Sequence, residues 1–419
     1  MARTGTVLAV ALVLAVTTGG VAAFWTPTAG ASTPTIAITS PEGAYFVGQA
    51  VNLTGTVNES VEEVAVYAQS GGDWQLLDVN ANGQFGSDDA VAVDETGNWS
   101  VRNLVLSNAN RMLSYPGNYR LGVVNASAVG GNDSLPASID PAEFVETESA
   151  QTLVRVNRAR LRGSFLTTDG QLATSAAEVT VRGTARGGRE LLVLLVDSRG
   201  RVATEQVQVP RGNGSFDVDV PLRTDDGRIV AEGPVQAYVL ALGRDDRAGD
   251  GRLPDGTNAT LDALAAYVGA HSASLDARQV SERFLAQTTR EAGSDDLLIS
   301  EQFEYVEPTT RITTVAQESQ FGPEGIYGIP TGERMVVAGD TNLLPDDNNI
   351  RVRAIDGPSA SRFPDLWTQD WNTDGTWSVS FDTTGLEPGI YTLTVEADGE
   401  TDDTVAFRVL PSSTNVTAD

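Results

Sequence analysis

Three times along this chain the same four short segments recur in the same order, and no other feature narrows the fold so far. Each unit opens on a strand-like stretch with an embedded glycine, at Val51–Thr56, Val179–Thr184 and Met335–Gly339. A second stretch follows at Glu63–Ala68, Leu191–Val196 and Ile350–Ala354. Next comes a glycine turn into an aromatic strand: Gly97-Asn98-Trp99-Ser100-Val101, Gly214-Ser215-Phe216-Asp217-Val218 and Gly375-Thr376-Trp377-Ser378-Val379. A tyrosine strand closes each unit, at Pro116-Gly117-Asn118-Tyr119, at Gly233–Val239 with Tyr238, and at Pro388-Gly389-Ile390-Tyr391. Apolar–polar alternation between Gly, Pro, Asn and Asp punctuation is the strand signature.

Short strands, one large aromatic per unit and a tyrosine after a turn predict a mainly β protein of three tandem immunoglobulin-like β-sandwiches. The aromatic should fill the space between the sheets. The tyrosine should bury its ring and cap a corner backbone group with its hydroxyl. The predicted domains run from Thr33 to Glu148, from Ser149 to Pro308 and from Thr309 to Leu410, with a Ser/Thr-rich tail at Pro411–Asp419. A small helical-hairpin insertion is expected at about 258–292 in the second. There Leu261, Leu264, Ala265 and Val268, then Val280, Phe284 and Leu285, fall at helical spacing. Asp262 and Asp276 sit near the helix starts, where acids suit the dipole. A returning strand is expected at Leu297–Val306.

The charge balance restricts partners. There are 56 acidic residues against 28 basic ones, a net charge of −28. Such a chain repels nucleic acid and anionic lipid. Every basic residue is arginine; there is no lysine. Arginine-only usage with a dense carboxylate surface points to a high-salt environment, where screening relieves the repulsion. There is no cysteine, so disulfides, thiolate catalysis and Cys-ligated zinc are excluded.

Residues 1–31 read as a signal peptide. Arg3 supplies the positive end, Val7–Val16 is apolar, and Ala29-Gly30-Ala31 precedes Ser32 as a cleavage site. Val21-Ala22-Ala23 is a second site, and an uncleaved anchor over Thr4–Trp25 is the alternative. The chain is expected to be secreted, and no C-terminal membrane anchor is read from it.

Catalysis finds little support. The one histidine, His271, ends a predicted helix, and a Ser-His-Asp triad has nothing to gather around. No phosphate-binding glycine loop opens a helix. Carboxylate pairs are too abundant for any one to stand out. The expectation is a protein that is not an enzyme.

Calcium has a better case. Asp78, Asn80 and Asn82, then Gly83, five further residues and Asp89, follow the spacing of a calcium loop, with Asp at the closing position instead of the usual Glu. Alternate side-chain oxygens turn inward around a hard cation, the backbone carbonyl of Gln84 takes one slot, and glycine permits the sharp turn. A weaker match at Asp370-Trp371-Asn372-Thr373-Asp374-Gly375 has Phe381 where the closing acid belongs. The Asp245–Asp255 loop is acidic without a recognised spacing.

N-x-[ST] acceptors occur at Asn52, Asn58, Asn98, Asn125, Asn132, Asn213, Asn258 and Asn415, eight of nineteen asparagines. Chance would give about three. On an exported chain this excess predicts a glycoprotein.

Two stretches resemble a known family. Thr260–Val315, with Thr288–Leu297, Phe303 and Thr309–Thr314, looks like a segment of haloarchaeal S-layer glycoproteins. Gly97–Val101, Leu104–Leu106 and Tyr115–Arg120 resemble the N-terminal BGTF-type surface-glycoprotein domain. The resemblance implies immunoglobulin-like domains, N-glycosylation, calcium-dependent integrity and lateral assembly with itself or other surface-layer proteins. The chain lacks the family's Thr-rich stalk and C-terminal Pro-Gly-Phe signal, which leaves its attachment open. The expected function is therefore a structural, calcium-stabilised component of an S-layer-like envelope. The rival is a secreted adhesion or carbohydrate-binding module that uses Trp74, Trp367 and Trp371.

Overall fold

In the computed structural model, the recurrent glycine and the recurrent aromatic are cross-strand partners. Gly55 lies opposite Trp99, Gly183 opposite Phe216 and Gly339 opposite Trp377 in antiparallel pairs. A Cβ at these glycines would stand 2.5, 2.5 and 2.7 Å from the facing ring. Each ring therefore lies flat over its glycine and fills the sandwich core, as large aromatics do best. The structure describes residues 36–412 except 42, 59–60, 131–133, 175–176, 211–212, 225, 273, 346–347 and 398–399. The leader and the acceptors Asn132 and Asn415 lie outside the described residues, as do residues 413–419 of the tail.

The architecture is mainly β, with six sheets in three successive pairs. In the first unit, Ile36–Ser40, Ala50–Val57 and Asn98–Val105 face a seven-stranded sheet. That sheet runs Gly43–Phe46, Ser149–Asn157, Gly117–Asn125, Glu63–Gln69, Trp74–Leu76 and Ser138–Ile139, with Val91–Ala92 also paired to Glu63–Gln69. In the second, Arg160–Phe165, Glu178–Arg186 and Ser215–Pro221 face Gln171–Ala173, Leu297–Val306, Gly233–Ala241, Glu190–Asp197 and Val202–Gln208. In the third, Gly325–Ile326, Thr310–Gln317, Arg334–Thr341 and Thr376–Asp382 face Ile329–Pro330, Glu400–Leu410, Gly389–Ala397, Ile350–Asp356 and Leu366–Thr368. Each pair closes on its own apolar core, in the manner of immunoglobulin-like sandwiches.

One boundary moves. Ser149–Asn157, which the sequence reading assigns to the second unit, pairs antiparallel with Gly117–Asn125 and parallel with Gly43–Phe46. It is the last strand of the first sandwich, so the junction falls after Asn157 and not after Glu148. The tyrosine strand is thus never the final one. Leu297–Val306 and Glu400–Leu410 play the same closing part in the other two units.

The tyrosines also divide. The Tyr119 hydroxyl donates to the Tyr115 carbonyl at 2.8 Å, and the Tyr391 hydroxyl to the Glu387 carbonyl at 2.8 Å. Both are buried corner caps four residues from their acceptors. Tyr238 is not one. The third residue of its strand, in the place of Tyr119 and Tyr391, is Val235. Tyr238 lies three positions on, an odd offset that turns it to the opposite face of the sheet.

That opposite face explains the run Glu190-Leu191-Leu192-Val193-Leu194-Leu195-Val196-Asp197. Leu191, Val193 and Leu195 enter the sandwich core, while Leu192, Leu194 and Val196 meet the insertion. The insertion is a helical hairpin, Leu261–Ser272 and Ala277–Ala286, packing Leu264, Val268, Val280 and Phe284 onto the sheet. Phe284 lies 5.2 Å from the Tyr238 ring. Asp276 caps the second helix in a capping box with Gln279. A strand buried on both faces reads as continuous apolar sequence. Among the described residues no helix is long and apolar enough to cross a membrane.

The units are joined tightly. Gly48 and Gly187 meet backbone to backbone: a Cβ on the first would fall 2.3 Å from the Gly187 carbonyl oxygen, and one on the second 2.1 Å from that of Val47. Both have left-handed φ, +83° and +100°, which glycine alone adopts without strain. The Arg186 guanidinium sits 5.5 Å from the Phe46 ring and that of Arg244 5.3 Å from Tyr115, across the same junction. At the next junction the Leu343 carbonyl accepts from the Thr168 hydroxyl at 3.0 Å and from Trp371 Nε1 at 2.9 Å. The Asp169 N–H donates to the Thr373 carbonyl at 2.7 Å.

Candidate calcium loop, glycan acceptors and exposed aromatics

The Asp78–Asp89 loop leaves the strand Trp74–Leu76 and ends in a single turn at Ser87–Asp89. Its two terminal carboxylates face inward, Asp78 3% exposed and Asp89 fully buried. Asp78 accepts the N–H groups of Asn82 (3.1 Å) and Gly83 (2.7 Å). Asp89 accepts those of Val79 and Gly86, both at 3.0 Å, and so ties the loop's entry to its exit. Asn80 and Asn82 each accept the N–H two residues on, at 3.0 and 2.7 Å. Burial pushes the Asp89 carboxyl above the usual carboxylate range; its N–H bonds pull back, and the charges of Asp78 and Asp88 add to the rise.

Spacing alone passes over Asp88. In the structure the side-chain amides of Asn80 and Asn82 both turn their nitrogens onto its carboxylate. Their oxygens are held by the backbone N–H groups of Asn82 and Gln84. The loop thus holds three carboxylates and two carboxamides with no arginine among residues 78–89. Its carboxylates are the kind of oxygen a hard cation such as calcium takes, while the two amides would have to rotate to add theirs. Among the described residues no group of three or more His, Cys, Asp or Glu is poised to hold a metal ion. The sequence-derived set contributes two such residues, Asp78 and Asp89, and relies on amides and a carbonyl for the rest.

The other acidic loops are built as turns. Asp374 accepts the N–H and hydroxyl of Thr376, at 3.0 and 2.8 Å. Asp245, Asp250 and Asp255 each accept the N–H two residues ahead. Beneath that last loop lies Asp296, which the sequence reading misses. It is buried and accepts from Gly243 (3.0 Å), Gly249 (2.8 Å) and the Ser294 hydroxyl (3.1 Å). The His271 ring lies 4.6 Å from that of Tyr267, tilted by 48°, and its Nδ1 lies 2.7 Å from the Tyr267 carbonyl.

Of the acceptor asparagines, Asn52, Asn58, Asn98, Asn213 and Asn258 are exposed and Asn125 is half-buried. Asn125 accepts the hydroxyl of its own sequon, Ser127, at 2.7 Å. Asn213 accepts the N–H of Ser215 at 3.0 Å. The Asn98 amide nitrogen is engaged instead, donating to Thr96 at 2.6 Å.

The three tryptophans separate. Trp74 and Trp371 are core residues, 3% and 8% exposed. Trp367 is 57% exposed and lies 4.9 Å from the Arg351 guanidinium. Register places Trp367, Arg351 and Glu396 in one row on the outer face of the third unit's larger sheet. Glu396 is nearly buried and also pairs with Arg353. Beside Trp371 lies a groove of about 660 Å³, lined also by Asp340, Asp370 and Asn372.

Together these features define a tandem immunoglobulin-like β protein with an acidic surface and sequons presented outward. No family model matches the sequence. Over 374 residues, 88% of this chain, it is 30% identical to the cell surface glycoprotein of Halobacterium salinarum. Over 383 residues, 90% of the chain, it is 30% identical to the cell surface glycoprotein of Haloarcula marismortui. The chain spans about two fifths of these curated relatives, 40% and 41% of their lengths. It is a haloarchaeal-type cell surface glycoprotein homologue, and its place is the extracellular cell surface. Among solved structures it is similar to a tetra-tandem repeat of a large adhesion protein (13% identity, TM-score 0.23, covering 87% of this chain and 73% of that one). It is also similar to the N-terminal four Ig domains of Dscam1 (9%, 0.16, 91% and 73%). Likenesses of that size carry no functional argument.

Proposed function

We propose that this chain is a structural, non-catalytic element of an S-layer-like envelope in a halophilic archaeon. It would act as a stiff, glycosylated spacer whose partners are copies of itself or other surface-layer proteins. The observation that carries this reading is the joining of the units. A hinged binding protein needs slack between its domains, whereas here glycine backbones interlock at one junction and hydrogen bonds from Thr168 and Asp169 cross the other. Carboxylates and glycans on the outer face would keep such a spacer hydrated in concentrated salt.

Calcium belongs to the same proposal. Asp78, Asn80, Asn82, Asp89 and the Gln84 carbonyl would hold it, with Asp88 as a further carboxylate. The ion would supply the positive charge that the loop lacks and link its entry to its exit. The test is to wash cell envelopes with a chelator at constant high salt, then restore calcium. Release or a lowered melting midpoint, reversed by calcium, supports the reading; indifference to chelation removes calcium from it.

A second reading, an adhesion or carbohydrate-binding module, is favoured by Trp367, whose exposed ring on Arg351 offers a flat stacking surface. Binding on a glycan array that Trp367→Ala abolishes would favour it over the structural one.

A further inference from the structure

Between the first and second units runs a groove of about 540 Å³, within the ~300–1,000 Å³ range of small-molecule sites. Its lining includes the interlocked pair Gly48 and Gly187 of the junction. Phe46 and Gln49 line it from the first unit; Arg186, Arg189, Gln208 and Asn213 line it from the second. In a chain with twice as many acids as bases, the described lining holds two arginines and no carboxylate. No described carboxylate lies within ion-pair distance of either guanidinium. Arg186 is held across the junction over the Phe46 ring, and Arg189 feels Asp246 only as a charge. Seven other described arginines are ion-paired, among them Arg182 with Asp217 and Arg351 with Glu396.

We propose that this groove binds an acidic saccharide, a sugar bearing a carboxylate. Guanidinium groups pair in a fork with planar or tetrahedral oxyanions, which chloride cannot match. Gln208 is held by Glu190, while Gln49 and Asn213 accept the Phe46 and Ser215 N–H groups through their oxygens and so can offer amide nitrogens to sugar hydroxyls; the Phe46 ring adds an apolar wall. Asn213 is itself a glycan acceptor on the rim, so the occupant comes either from its own glycan or from another chain. That choice of source rests on the glycoprotein reading; the site itself does not.

The test is calorimetric titration of unglycosylated protein with methyl glucuronide, methyl glucoside and inorganic sulfate at fixed high ionic strength. The expected result is saturable binding of glucuronide and none of glucoside. Arg186→Gln with Arg189→Gln should weaken glucuronide at least tenfold, and Arg189→Gln alone, which leaves the Arg186–Phe46 contact of the junction in place, should weaken it as well without moving the unliganded melting midpoint. Absence of saturable glucuronide binding, equal binding of glucoside, or binding that survives the double variant overturns the proposal; sulfate binding without glucuronide marks an adventitious ion only and does the same. The source is read from glycosylated protein. If only its Asn213→Gln form takes up glucuronide, the chain's own glycan fills the groove; if both forms do, the occupant comes from elsewhere. Binding by neither, when the unglycosylated protein binds, overturns the proposal. Peptide mass at Asn213 reports glycosylation separately, so an unmodified Asn213 refutes the glycan there without touching the titration.

Discussion

Replacing Gly55 by alanine probes the packing that repeats in all three units. Its added Cβ would stand 2.0 Å from the Ala37 carbonyl oxygen and 2.5 Å from Trp99. Neither can step aside cheaply: one is backbone of a hydrogen-bonded strand and the other a ring sealed in the core. Overpacking of this kind costs about 1–3 kcal/mol. Alanine returns part of that, about 0.4–1 kcal/mol, by restricting the unfolded chain. The net expectation is a loss of about 1–2 kcal/mol, a fall of roughly 3–10 °C in the melting midpoint for a unit of this size. Trp99→Ala should cost about 3–5 kcal/mol. Because the new methyl and the ring compete for one space, the double variant should lose ~1 kcal/mol less than the sum. Calorimetry measures the midpoint, and hydrogen exchange of peptides across Ala50–Val57 assigns the transition to the first sandwich. An unchanged midpoint, or strict additivity, would refute the glycine–aromatic pair as the reason for the repeat.

Other expectations follow from the same geometry. Tyr391→Phe removes the hydroxyl that caps the Glu387 carbonyl and meets Ser359, and should cost about 1–3 kcal/mol in denaturant titrations. Tyr238→Phe, with no hydroxyl bond found among the described residues, should be nearly silent; an equal cost would contradict the face assignment. Asp296→Asn should destabilise by about 1–3 kcal/mol through the lost acceptor, with a pH signature. Burial raises the Asp296 carboxyl, its N–H bonds opposing the rise. The folded state therefore keeps the proton longer than the unfolded one, and an ionisation penalty is in force above the raised value. It fades as pH falls toward the ordinary carboxylate value of about 3.9. The gap between wild type and variant should accordingly be widest at the acid end and narrow as pH rises through that window; a gap that widens with pH refutes the burial. Asp89→Asn should lower the midpoint of the first unit and remove any dependence of that midpoint on added calcium. Persistent calcium dependence would move the ion elsewhere.

The strands were legible because each carries period-two alternation that a half-buried sheet imposes, as Val51, Leu53 and Val57 show. The hairpin was legible because Leu264, Val268, Val280 and Phe284 hold helical spacing. The strand Ser149–Asn157 was misassigned for a different reason: its partners lie 25 or more residues away, and local pattern does not report pairing. Tyr238 misled because its neighbours Val235, Ala237 and Val239 alternate correctly while the tyrosine itself sits on the other phase. The calcium spacing marks Asp78 and Asp89 but not Asp88, because the single turn at Ser87–Asp89 brings that side chain round to the two asparagines. Asp296 and the arginine groove left no signal at all, since both depend on segments far apart in sequence.

The central claim is a glycosylated building block of the cell envelope. Intact-mass and glycopeptide analysis of the protein recovered from washed envelopes tests it most directly. The account predicts that the chain is found in the envelope fraction with glycan on exposed acceptors, Asn213 and Asn258 among them. An unmodified polypeptide, absent from the envelope and free in the medium or the cell interior, would contradict it.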